Sequence, residues 1–174
     1  LGDTEAMMPA KEQVPREHYA TGDRMKLLVL EVRKTLKGPA IIVSRAHPGL
    51  VRKLFELEVP EIYDGAVKIE NVAREAGART KIAVRSMGDD RIDAVGACVG
   101  VKGIRVQNIV DEIHGEKVDI VRWDEDPHTY LANALSPAKI ARIVFHPEVP
   151  SAEVIVPNDQ LSLAIGKKGQ NASL

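Results

Sequence analysis

Cysteine is nearly missing from this chain. Cys98 is the sole thiol among 174 residues, which excludes an internal disulfide framework and suits a reducing, cytoplasmic setting. Aromatic residues are also scarce: Tyr19, Phe55, Tyr63, Trp123, Tyr130 and Phe145 amount to 3% of the chain, too few for a large stacking platform. No apolar run approaches the roughly 18–20 residues of a membrane-spanning helix, and no signal-peptide pattern opens the chain. The five histidines, His18, His47, His114, His128 and His146, show no paired metal-ligand spacing. No Gly-x-Gly-x-x-Gly occurs, and a phosphate-binding P-loop fails because Leu161 stands where its first glycine belongs and Val101 follows Gly100. A net charge of −1 argues against holding a polyanion mainly by bulk charge, while 44% apolar content is ordinary for a globular protein.

Charge is unevenly spread along the chain. Arg24, Lys26, Arg33, Lys34, Lys37, Arg45, Arg52 and Lys53 face one acid, Glu31, whereas seven acids crowd 111–126 against Lys117 and Arg122. Such runs are either solvated faces or, beside a binding site, part of it. Leu1 in place of a methionine, and a helical pattern still running at Leu174, read as cut ends.

Three segments follow from periodicity. Residues 1–46 read as β structure, with strands at Met25–Val32 and Ala40–Arg45 around a Lys- and Gly-rich turn. Two or three strands make no stable sheet alone, so the expectation is the back half of a small barrel. In 47–125, Pro48 opens a helix with Leu50, Val51, Leu54 and Phe55 on one stripe. Strands are expected at Val67–Ala73 and Thr80–Arg85, then a short helix from Asp93 to Val99. After Gly100–Gly103 a second helix carries Val106, Ile109, Val110 and Ile113 on one face, stops at Gly115, and yields to the strand "KVDIVRW". In 126–174 the order restarts: an Asp126-Pro127 helix start, strands "KIARIVF" and "AEVIV", a short helix capped by Asn158 or Asp159, "GKKG", and a new helix. About two residues join Trp123 to the Asp126 helix, which predicts a stiff pair of modules.

The repeated element is Gly-x-Lys-Gly. It occurs at Gly100–Gly103 and again 66 positions on at Gly166–Gly169, each with an aspartate seven residues ahead, Asp93 and Asp159. One Gly-x-x-Gly is an ordinary helix–helix turn; two in matched frames, each with lysine inside, point to a shared ligand. Glycine lets another backbone come near, and helix-start amides favour a phosphate. Gly100, Val101, Lys102 and Gly103 form the first candidate grip, and Gly166, Lys167, Lys168 and Gly169 the second. Arg105, Gln170 and Asn171 lie just after the loops, where they could hydrogen-bond a base or sugar or simply decorate a solvated face. Val99 and Ile165 could floor a base or belong to the core.

This frame resembles two type II KH domains, whose GxxG loop grips single-stranded nucleic-acid backbone. The strand pair ending "IIVSR" resembles the end of an S1-type OB barrel. "HPGLVRKLFELEVPEI", "VAREAGARTKIAV" and "LANALSPAKI…PNDQLSLAIGKKGQNASL" are similar to the NusA family of bacterial transcription factors, a resemblance covering essentially the whole chain. It implies an α/β (α+β) fold: a partial S1-type OB barrel at 1–46, a first KH domain with its joining helix at 47–125, and a truncated second KH domain at 126–174. Each KH domain would run α-β-β-α-α-β over a mixed three-stranded sheet. The resemblance further implies a monomeric factor that binds nascent single-stranded RNA through both loops and the basic barrel region, and modulates pausing, termination and antitermination. RNA polymerase would be met through a domain not in this chain, with other antitermination factors as further partners. No membrane, cofactor or metal is implied.

Two rivals stand beside it: an accessory RNA-binding region of an RNA-processing enzyme, and a protein-interaction module. Catalysis lacks its parts. Cys98 sits among small apolar residues as an inert thiol, and Asp89-Asp90 and Asp124-Glu125-Asp126 read as loop and cap acids.

Overall fold

The computed structural model describes residues 4–15, 17–36, 38–88, 91–146 and 148–174. Lys37 of the basic run and the Asp89-Asp90 pair lie outside the described residues. The chain divides into two compact units, Leu1–Ile120 and Val121–Leu174.

The first unit opens with strands β1 (Ala6–Met7), β2 (Leu28–Thr35) and β3 (Gly38–Ser44) in the order β1-β3-β2. β1 runs parallel to β3, and β2 pairs antiparallel with it from Leu28↔Ser44 to Thr35↔Gly38. The expected partial barrel is, among the described residues, an open sheet of three strands. Val29 and Val32 of β2 stay exposed.

Helix α1 (Pro48–Glu58) follows, started by Pro48 and by the His47 ring nitrogen Nδ1, which accepts the Gly49 amide at 2.9 Å. A short helix α2 (Pro60–Tyr63) leads to β4 (Val67–Glu75) and β5 (Arg79–Ser86), paired antiparallel. Helices α3 (Ala94–Val99) and α4 (Ile104–Glu112) precede β6 (Lys117–Arg122), giving the sheet order β4-β5-β6. Thr80–Val84 of the central strand are all buried. The α1 stripe, Leu50, Val51, Leu54 and Phe55, meets Ile82 and Val84 from the sheet, Cys98 from α3, and Ile109 and Ile113 at α4.

Buried charges tie the opening segment to this core. Arg45 is fully buried; its guanidinium donates to Glu17 Oε1 at 2.7 Å, Glu112 Oε1 at 3.0 Å and the Glu112 carbonyl at 2.8 Å. Arg74 donates to both oxygens of buried Glu116 at 2.9 Å, and Glu116 also accepts from the Gly77 amide and the Thr80 hydroxyl. Removing one partner of a buried, hydrogen-bonded pair leaves an uncompensated charge and is strongly destabilising. Arg45 is thus a structural brace and not part of a basic surface. Arg52 also turns inward, donating to the Ile69 carbonyl at 2.8 Å.

The second unit begins its helix α5 (Pro127–Ala134) at Asp126, whose Oδ2 accepts the Thr129 amide at 2.9 Å and hydroxyl at 2.6 Å. Strands β7 (Arg142–His146) and β8 (Ser151–Ile155) form an antiparallel hairpin, from Arg142↔Ile155 to His146↔Ser151. These are the two strands read from "KIARIVF" and "AEVIV", and no counterpart of β6 follows among the described residues, as the truncated second domain implies. Asn158–Gln160 form a 3₁₀ turn, so Gln160, and neither Asn158 nor Asp159, stands at the cap of α6 (Leu161–Ile165). Helix α7 (Gln170–Ser173) comes last. No helix among the described residues is long and apolar enough to cross a membrane.

Candidate nucleic-acid interface

Glycine stops α3 and restarts the chain as α4. Gly100 has φ 77° and ψ 173°, a region essentially closed to any residue with a Cβ. Lys102 follows in the left-handed region (φ 53°, ψ 24°), then Gly103 (φ 78°, ψ 12°), and the Gly103 amide closes the turn on the Gly100 carbonyl at 3.1 Å. The second copy repeats every step. Gly166 has φ 75° and ψ 170°, Lys168 φ 56° and ψ 27°, and Gly169 φ 77° and ψ 3°, with the Gly169 amide on the Gly166 carbonyl at 3.1 Å. Two stretches with different side chains have adopted one backbone conformation.

The two glycines of each loop do different work. A Cβ on Gly100 would stand 2.7 Å from Arg105 Cγ, and one on Gly166 would stand 2.7 Å from Asn171 Cβ and 2.8 Å from its backbone nitrogen. These first glycines make room for the helix beneath. A Cβ on Gly103 or Gly169 would meet nothing within 4 Å, so the last glycine of each loop borders open space that another backbone can enter. Lys102, Lys167 and Lys168 are exposed and carry no ion pair among the described residues. Successive amides in a turn of this kind form a concavity suited to an anion, and the lysines add charge at its rim.

Arg105 and Asn171 do not reach outward, contrary to expectation. They occupy the same place in the two copies, five residues past the first glycine. Arg105 Nη1 donates to the Ala97 carbonyl at 2.6 Å and to Glu61 Oε2 at 2.8 Å. Asn171, only 2% exposed, donates Nδ2 to the carbonyls of Leu135 and Leu163 at 3.1 Å and of Ala164 at 3.3 Å. Ala97 and Leu163 are again equivalent positions. Each side chain therefore latches its own loop to the helix before it. Gln170, half-buried, sits where the first copy has Ile104.

The apolar positions before the two loops differ from each other. Val99 is half-buried, whereas Ile165 is 45% exposed. Sequence reasoning overlooked Ile104, which is 58% exposed beside Val101 at 79%. The constant spacing between the loops would have set Ile104 against Gln170 and Arg105 against Asn171. Burial pushes the Cys98 thiol up to about 12, which keeps it protonated and unreactive. Among the described residues no cluster of metal-ligating side chains occurs.

Residues 45–123 match the description NusA-like first KH domain, and residues 127–174 match NusA-like second KH domain. The chain is 58% identical to the transcription termination/antitermination protein NusA of Halalkalibacterium halodurans, over 100% of this chain and 45% of that protein. It is 57% identical to the NusA protein of Bacillus subtilis (100% and 47%) and 48% identical to that of Thermus thermophilus (100% and 45%). It thus spans about half the length of the curated relatives it matches. The solved structure of APE1850 shares the fold, with a TM-score of 0.52 at 21% identity, over 71% of this chain and 82% of that one.

Proposed function

The chain belongs to the NusA family, and from that premise we propose that it is the RNA-binding stretch of a transcription termination and antitermination factor. Each Gly-x-x-Gly loop grips a short length of nascent single-stranded RNA. The sugar-phosphate backbone approaches over Gly103 or Gly169, where no Cβ stands in the way, and its phosphates meet the loop amides and Lys102, Lys167 and Lys168. The duplicated backbone conformation, with its open glycine and exposed lysines, carries this reading. Of the basic segment, Arg24 and Lys34, exposed and without an ion pair among the described residues, extend the RNA path. The protein acts in the cytoplasm as a monomer, by binding and not by catalysis. Association with RNA polymerase and with other antitermination factors belongs to the longer assembly.

Three loop lysines, each neutralising one phosphate of a single strand, predict a slope of about −2 for log affinity against log salt. Gly103→Asp and Gly169→Asp test the grip directly, since each places a carboxylate where the strand passes. Each is expected to lower affinity for a single-stranded RNA oligonucleotide at least about tenfold while the protein stays folded. Variants that bind as tightly as the parent would contradict the reading.

A further inference from the structure

The two loops share a backbone and differ in what they present. Lys167 and Gln170 of the second loop are replaced in the first by Val101 and Ile104, both exposed. Charge differs in step. Lys167 and Lys168 give the second loop two free cations; the first has Lys102 alone, because the Arg105 guanidinium is paired with Glu61 at 2.8 Å. Since the backbones coincide, a difference in binding arises from side chains in and beside the loops, where Ile165, 45% exposed before the second loop, also differs from half-buried Val99.

We propose that the two loops hold RNA by different forces, the second by charge on the phosphates and the first by one charge plus an apolar contact of Val101 and Ile104 with a base or ribose face. This deepens the RNA reading above and rests on it. Two branched aliphatic side chains left in water beside a cation and an open glycine gain by covering the flat, weakly hydrated face of a nucleotide whose phosphate that cation holds. Such a contact is insensitive to salt, whereas each lysine–phosphate contact adds about 0.7 to the salt slope. It therefore makes the first loop the less salt-sensitive of the pair, and the one more responsive to which base occupies it.

The test is binding of a single-stranded RNA oligonucleotide by the whole chain, followed across a salt series. Val101→Ser and Ile104→Gln, both at exposed positions, are expected to weaken binding about three- to tenfold at every salt concentration with the slope unchanged. Val101→Lys, which copies the second loop, steepens the slope by about 0.7, and Lys167→Val flattens it by about 0.7. If Val101→Ser and Ile104→Gln bind as the parent does, the apolar contact does not exist and the two side chains serve something else, such as a protein partner. A loss that disappears at high salt overturns the proposal equally. Should Gly103→Asp and Gly169→Asp also leave binding intact, the RNA reading itself fails, an outcome separate from failure of the apolar contact alone.

Discussion

The first loop rests on a charged side chain that bridges the Ala97 carbonyl and Glu61, the second on a neutral amide among carbonyls, yet one backbone conformation serves both. What the copies share is the space a glycine leaves, and the filling is interchangeable. Arg105 lays its aliphatic stem under Gly100; Asn171 sets its Cβ and backbone under Gly166. The same contrast runs further along the first unit, where α4 is pinned beyond its far end by the buried Arg74–Glu116 pair. Charged bracing tolerates partial exposure, as with Arg105 and Glu61, whereas the Asn171 amide supports its loop from a buried position, through Nδ2 alone.

Four experiments break or sharpen this comparison. The largest effect is expected at Glu116→Ala, which strands Arg74 in the interior; the first unit should lose about 3–5 kcal/mol in denaturant unfolding. Next comes Gly166→Ala, expected to cost about 3 kcal/mol, against about 1–2 kcal/mol for Gly100→Ala. The order follows from the obstacles: a new Cβ at 166 meets the Asn171 backbone nitrogen at 2.8 Å, while at 100 it meets the Arg105 side chain, which can move. Equal costs would mean that the two loops are supported alike. Asn171→Ala should then cost about 2 kcal/mol, from the lost hydrogen bonds to the Leu135, Leu163 and Ala164 carbonyls, and Arg105→Ala about 1 kcal/mol. Both should also weaken RNA binding, as positioning residues would, with Asn171→Asp failing to rescue because a carboxylate cannot donate.

The smallest effect is acid sensitivity of the second unit. Hydrogen bonds from Thr129, by side chain and amide, hold the Asp126 carboxyl down at about 2. Because the folded-state pKa is lowered, the cap's contribution is complete above the ordinary carboxylate range and fades as pH falls from about 4 toward 2. Asp126→Asn keeps an acceptor without the charge, so its stability should be flatter across that window in acid unfolding monitored by Thr129. An unchanged profile would remove the cap from the account.

Much of this was legible because the signals were local. Pro48 and Pro127 each follow a residue that caps its helix, and the loop glycines announce turns that other residues cannot make. Tertiary pairing was not legible. Arg45 reads as one more cation in a basic run until Glu17, 28 positions away, and Glu112, 67 positions away, close around it. Arg105 and Asn171 were read outward because a polar residue in a helix's first turn is usually solvated; the glycine five residues before each opens a hole that draws it in.

Amide chemical shifts followed while single-stranded RNA is titrated into the isotopically labelled protein test the central claim most directly. The account predicts that the largest shifts fall together on Gly100–Gly103 and Gly166–Gly169, with Ile104 moving alongside the first loop. Shifts confined to other surfaces, with both loops silent at saturating RNA, would contradict it.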